Sequence, residues 1–406
     1  MSILERIRKN QQIFYLTLST SLRGVRDNIR QVVWQPFALS LGVPIKDIGA
    51  LESLMDLAKI IIQPILGAAS DVYGRKRFLI IRDLLVVLAG VFFLFAQSWL
   101  YLAVGMIFVG FSFALIPIWH SIVAESAKED QMGWVFSILG SAYMFFGLLG
   151  TLAAGWLADN LGYRSVYMVF VTFSVLALLV SVFKIEETHR PVGKKEFGVT
   201  KAFKSLLDTF RPPKYMWGYY IAMSVDLFAF STGWRLINGM LSEAYGFTTG
   251  QLGIMYAFQT GTMALFQVIL GRKVDRFGYR KFLTLSQMLS STLLAAIIIK
   301  PTYIVLIAAN ILMGLGAALW GPAEQAWVAK NVDPAERAKS IGGYSTFRGL
   351  VALPGPFIGG LIYDRFGYSA PLMVNLILAV VDTVLLWVLI KDNAREEAGL
   401  VDNPKL

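Results

Sequence analysis

Positions 23, 26, 27 and 30 are Arg, Arg, Asp and Arg, in the stretch SLRGVRDNIRQ, and they interrupt the apolar runs IFYLTL and VVWQPFALSLG. Spaced i, i+3, i+4 and i+7, the four side chains share one helix face, and Trp34 extends the stripe. Guanidinium groups held together in this way can bind an anionic group, and a carboxyl among them can carry a proton. A second stripe, Glu52, Asp56, Lys59 and Gln63, follows the same logic in the next apolar run and offers partners for the first. The first stripe has three positive charges and one negative, the second one positive and two negative, so complete pairing leaves one positive charge over. Further along, Asp226, Arg235, Glu324 and Arg348 stand in apolar surroundings of the same kind. Asp27, Glu52, Asp56, Asp226 and Glu324 are the candidate proton carriers. Asp27, beside arginines, can take up a proton only if a conformational change draws a partner away.

The elements that must position these residues follow from composition. Of 406 residues, 56% are hydrophobic and 16% charged, a balance outside that of soluble globular domains; mean hydropathy is +0.59. Apolar stretches of roughly 20 residues, the length that crosses the hydrocarbon core as a helix, recur along the chain. Twelve spans are predicted, near 13–38, 47–69, 78–97, 100–123, 133–158, 164–184, 216–240, 250–271, 282–299, 302–328, 340–363 and 369–390. A charge in mid-span costs about 2.5–3.5 kcal/mol on insertion, so the charged faces must turn toward a wet cavity or a partner.

The chain carries 37 Lys and Arg against 27 Asp and Glu. Seven of the 37 fall inside spans and four on one side of the membrane (Lys46, Arg164, Lys300, Arg365), which leaves 26 on the other. That asymmetry is the positive-inside pattern and places both termini in the cytoplasm of a multi-pass protein of the plasma (cytoplasmic) membrane. It makes the net charge of +10 a topology signal and argues against nucleic acid as a partner. The basic start RIRKN leads into a long span with no small-residue cleavage site behind it, so the first span is expected to be retained. There is no Cys, and His120 and His189 are far apart in sequence, so thiolate chemistry, a metal cluster and an intramembrane enzyme are all disfavoured. No cofactor is expected; the partners expected are lipid, a small solute and protons, with the chain monomeric.

A Lys-rich stretch at 185–215 divides the chain into an N-terminal six-helix bundle, 1–184, and a C-terminal six-helix bundle with a short cytoplasmic tail, 216–406. Within that linker, Val199, Phe203, Leu206, Leu207 and Phe210 have the spacing of a helix lying on the bilayer surface, or equally of a solvated linker helix. The two halves repeat each other. At an offset of 204, Gly42, Gln63, ILG at 65–67, Asp71, Gly74 and FL at 78–79 match Gly246, Gln267, ILG at 269–271, Asp275, Gly278 and FL at 282–283; GWLADNLGY at 155–163 matches GLIYDRFGY at 360–368. Six spans separate equivalent positions, so the copies are parallel repeats.

GAASDVYGRKRF at 67–78 and GRKVDRFGYRKF at 271–282 resemble the loop motif of the major facilitator superfamily. The resemblance implies an all-α polytopic membrane protein in which two six-helix bundles alternately expose a central cavity. The loop residues Gly67, Asp71, Gly74, Arg75, Lys76, Gly271, Asp275, Gly278 and Arg280 then form a gating motif. Gly67 and Gly271 would allow close helix contact, Gly74 and Gly278 a tight turn, and Asp71 would meet the start of span eleven near 340–343. The family's cavity-lining and flanking spans hold Arg23, Arg26, Asp27, Arg30, Trp34, Glu52, Asp56, Lys59, Asp226, Arg235, Glu324 and Arg348. Arg82, Asp83 and Asp382 fall in peripheral spans, the first two being read as interfacial, while Trp119, His120 and Trp327 read as aromatic-belt residues. Span four lacks the arginine of many proton-coupled drug antiporters, and span five lacks their Gly-Pro signature. The expected function is therefore secondary active, proton-coupled transport of a small anionic or zwitterionic organic solute. Multidrug efflux is the alternative within the class, and an energy-independent lipid scramblase the alternative outside it.

Overall fold

The computed structural model describes residues 10–127, 131–189, 198, 212–332 and 337–399, and the side chains at 268, 271, 272, 275–277, 293, 329 and 337–342 are not among those described. The expected surface helix at 199–210, Gly271, the Asp275 carboxylate and the docking point for Asp71 at 340–342 therefore lie outside the described residues. What is described forms twelve helical spans. They are Gln11–Ser40, Ile45–Tyr73, Arg75–Leu94, Trp99–Ser126, Met132–Leu161, Tyr163–Phe183, Trp217–Thr232 with Ile237–Tyr245, Thr249–Phe277, Tyr279–Ile299, Tyr303–Asn331, Arg337–Ala352 with Gly355–Phe366, and Ser369–Leu389. Six of them, spans four, five, six, nine, ten and twelve, are long and apolar enough to cross a membrane by length and composition alone. The others are interrupted by charges or breaks, as the sequence predicts for helices that face a partner.

The breaks have local causes. Span four changes course at Leu115, just ahead of Pro117, and span eleven breaks before the Pro354–Gly355–Pro356 run, since proline can neither donate to the helix ladder nor fit beneath the preceding turn. Span seven stops at Gly233, where Asn375 Oδ1 accepts the Trp234 N–H at 3.0 Å and satisfies an amide the break would orphan. Span one starts on Asn10, whose side chain accepts from the Ile13 N–H at 3.3 Å.

Two compact units result, Met1–Phe203 with Leu241–Ile254, and Lys204–Met240 with Met255–Leu406. The first is built around Ile13, Leu16, Leu79, Ile118, Ile122 and Val135, and the second around Met216, Met223, Leu283, Trp327 and Leu386. Trp119 and Trp327, expected at the membrane interface, belong instead to these cores. Trp327 is stacked on Tyr219 at 3.9 Å with its Nε1–H donated to the Lys391 carbonyl at 2.8 Å. Large apolar side chains such as Phe183, Leu265 and Ile304 are turned outward, as a lipid-facing surface requires.

The duplication extends to hydrogen bonds. Gly74 and Gly278 have φ of +92° and +93°, conformations that glycine adopts without strain and that turn the chain from one span into the next. In the first unit Glu187 accepts the N–H groups of Arg75 and Lys76, each at 3.0 Å, and in the second Asp392 accepts the Arg280 N–H at 2.8 Å. Each acid follows the last span of its half and neutralises the positive end of the third helix of that half. At Gly67 a Cβ would meet nothing within 4 Å, so the close contact expected there is absent among the described residues.

Close approach is instead used between spans one and five and between spans seven and eleven. A Cβ at Gly150 would lie 2.7 Å from the Val25 carbonyl oxygen, and one at Gly355 2.8 Å from the Ser231 Cβ. Small residues let these backbones meet, and dispersion between packed helices is the main attraction available in lipid. Gly150→Val is expected to destabilise the protein by about 1–3 kcal/mol through overpacking, read as a lower melting temperature in detergent, whereas Gly67→Ala should melt within error of wild type.

Candidate functional site

In the first unit the charged stripe of span one meets span three and span six. The Asp83 carboxylate accepts from Arg23 at 2.7 and 3.2 Å, from Arg26 at 3.3 Å and from the Ser181 hydroxyl at 2.7 Å. Arg26 also donates to Asp27 at 3.0 Å, and the Arg23 guanidinium lies 4.1 Å above the Trp119 ring. Arg23, Arg26, Arg82 and Asp83 are all buried. This corrects the sequence reading of Arg82 and Asp83 as interfacial. It also corrects the pairing of Arg23 and Arg26 with span two; there Glu52 accepts from Trp34 Nε1 at 2.8 Å, and Asp56 from Lys59 of its own helix at 3.4 Å. The physical reason lies in the packing: span one packs on spans five and six, and span two on span four, where the Met55 backbone meets Gly110. Arg30 sits with its guanidinium 5.3 Å from the Phe113 ring centre.

The second unit contains a cavity of about 340 Å³. Asp226, Gln267, Gln287 and Asn375 provide its polar wall, and Phe230, Trp234, Met263, Met313 and Trp320 its apolar one. Asp226 is hydrogen-bonded with Gln287. Next to it, Glu324 accepts from Arg348 at 2.7 Å, from the Tyr344 hydroxyl at 2.8 Å and from Trp320 Nε1 at 2.9 Å, while Arg348 also contacts the Tyr344 hydroxyl. Of the sequence candidates in this half, Asp226, Glu324 and Arg348 thus come together, whereas Arg235 sits in the short turn Trp234–Leu236 of the break in span seven. Span twelve, read as peripheral, contributes Asn375 and Ala379 to the cavity wall. The loop residue Asp71 lies 3.7 Å from Arg75, which also reaches Glu125 at 3.1 Å.

Sequence reasoning missed Ser181, Gln287, Asn375 and Tyr344 and misplaced Asp83. A carboxylate in mid-span was a signal for Asp83, but its use needs knowledge of which spans touch.

The model of the Major Facilitator Superfamily matches the chain twice, over residues 16–234 and 227–405. The chain belongs to this family. Its twelve spans in two parallel-repeat bundles are the fold of these transporters. The multidrug resistance protein MdtG of Escherichia coli O17:K52:H18 (strain UMN026 / ExPEC) is 24% identical over 343 residues, 84% of this chain and 83% of that protein. Among solved structures, a D323A mutant of the nucleoside transporter NupG superposes with a TM-score of 0.75 at 17% identity over 93% of this chain and 98% of its own. The human organic anion transporter MFSD10 (TETRAN) gives 0.67 at 17% identity, over 93% and 99%.

Within this family member, the two charge clusters have different capacities. In the first unit Arg23 and Arg26 are committed to Asp83 and Asp27, an arrangement that compensates their buried charge internally. The second unit places an acid on an open apolar cavity, which suits a ligand with an apolar body and a charged or polar head. Asp83→Asn leaves Arg23 and Arg26 buried without their carboxylate and is expected to cost about 3–5 kcal/mol. The expected readout is a melting temperature well below that of Lys59→Met, which removes a lysine that is one-third exposed from a pair within span two.

Proposed function

We propose that this transporter exports amphipathic organic cations in exchange for protons, with the cavity of the second unit holding the solute. The observation that carries the reading is Asp226 in a cavity whose apolar wall is formed by Phe230, Trp234, Met263, Met313 and Trp320. A carboxylate within an aromatic, thioether-lined space attracts a cation both by charge and by ring faces. The protonmotive force runs inward, so proton exchange drives such a solute outward. The relative MdtG is called a multidrug resistance protein, which supports export of an organic solute. The anionic or zwitterionic solute suggested by the arginine-rich first span has less support, because Arg23 and Arg26 are paired with Asp83 and Asp27. In this reading Asp71 and its loop act as the cytoplasmic gate, and the Lys and Arg bias supports cytoplasmic termini.

In proteoliposomes with an acidic interior and the membrane potential clamped at zero by equal potassium and valinomycin, the purified protein should accumulate tetraphenylphosphonium beyond protein-free liposomes, and collapse of the pH gradient by nigericin should abolish the accumulation. Equal flux without a pH gradient, uptake of an organic anion instead, or gradient-independent movement of labelled phospholipid would each contradict the proposal. Orientation has its own test, made simple by the absence of native Cys. Cysteines placed singly at Lys46 and Lys391 should react with an impermeant maleimide from opposite faces of the membrane.

A further inference from the structure

Asp382 is the most isolated charge-bearing group in the second unit. It is 0% exposed, it lies midway along span twelve, and neither carboxylate oxygen has a hydrogen-bond partner among the described residues. A carboxylate cannot persist in that form inside a bilayer, where no water replaces the missing donors.

The helix register identifies its neighbour. Spans seven and twelve run antiparallel, with Gly233 packed on Asn375 at one end and Gly218 on Leu389 at the other. Asp226 is eight residues beyond 218, and Asp382 is seven before 389, so the two acids stand at the same level of the helix pair. Asp382 also continues the face of span twelve that lines the cavity, since Asn375, Ala379 and Asp382 are spaced i, i+4, i+7. Asp226 acts on Asp382 electrostatically.

We propose that Asp226 and Asp382 form an acid pair that holds one proton when the cavity is empty and releases it to water when a cation binds. Two like charges level with each other on adjoining helices in an apolar setting cannot both stay ionised unless a cation joins them. With one proton the pair carries a single negative charge. When a monovalent cation settles between the two carboxyls the proton leaves, and the site's net charge is unchanged.

The other charged groups near the pair do not supply that cation. Glu324 of span ten and Arg348 of span eleven face Asp226, but they already form an ion pair with each other. Span nine offers Gln287 to Asp226; its Arg280 and Lys281 sit at its start, with Arg280 over Trp387. The part of span eleven packed near span twelve has Asp364 and Arg365 at its far end, beyond Asn375.

The duplicated halves support the assignment. At the offset of 204, Gln287 occupies the position of Asp83. The first unit therefore puts an acid among arginines where the second puts a neutral amide beside an acid, and the second keeps carboxyls with no arginine lattice around them.

The inference rests on the exchange reading above, and its test separates the two. Protein in lipid nanodiscs is examined by infrared spectroscopy for protonated carboxyl, and in weak buffer for proton release on adding tetraphenylphosphonium. Wild type should show a protonated-carboxyl band that is missing from Asp382→Asn. Added cation should remove the band with release of about one proton per cation bound, and affinity should fall roughly tenfold per pH unit on the acid side. Asp382→Asn should still bind the cation, with proton release and pH slope lost. Asp226→Asn, a second variant should the first not fold, should keep its band when the cation is added. An Asp382→Asn protein with the wild-type band, or with wild-type proton release, would overturn the acid pair, as would sodium ions removing the wild-type band. Absence of cation binding in wild type with the band present would sink the exchange reading and leave the pair standing.

Discussion

Every charge placed inside the bilayer has to find a counter-charge or a proton within side-chain reach, because no solvent is available to do the same work. That requirement explains why Arg23, Arg26 and Asp83 come together from spans one and three although they are far apart in sequence. It also fixes the orientation of span one: its apolar faces pack on spans five and six, and the stripe that cannot face lipid is turned to Asp83 and Ser181. Glycine contacts such as Gly150 on Val25 then bring the backbones close enough for these bonds to form.

The duplicated units meet the same requirement in opposite ways. In the first, positive groups outnumber acids, and Asp83 serves two arginines at once. In the second, Glu324 has taken Arg348, Tyr344 and Trp320, and Asp226 and Asp382 are left to share a proton between spans seven and twelve. The first solution is static, since breaking it exposes unpaired guanidiniums. The second can change its charge partner, and it adjoins a space of about 340 Å³.

Much of this fold can be read in the amino-acid sequence, because span length and the offset of 204 are both local patterns. The loop repeat predicted the turns at Gly74 and Gly278, and both adopt the positive φ that the motif requires. Helix stripes placed Arg23, Arg26, Asp27 and Arg30 on one face, but a stripe has no information on which neighbour it meets. Hence Asp83 was assigned to the membrane interface and span two was given the arginines. Trp119 and Trp327 illustrate the same limit: a tryptophan near a helix end reads as a belt residue, and only packing reveals that one supports Arg23 and the other stacks on Tyr219. Asp382 was assigned to the periphery for want of the register that sets it level with Asp226.

The most direct test of where the solute is held is photolabelling. A photoreactive amphipathic cation is bound to the protein in nanodiscs and cross-linked, and the modified peptides are mapped by mass spectrometry. The account predicts labels on Phe230 or Trp234 of span seven, Met263 of span eight, and Met313 or Trp320 of span ten, competed away by unlabelled tetraphenylphosphonium. Competable labels confined to Trp34, Phe113 or other residues beside the span-one arginines would contradict it.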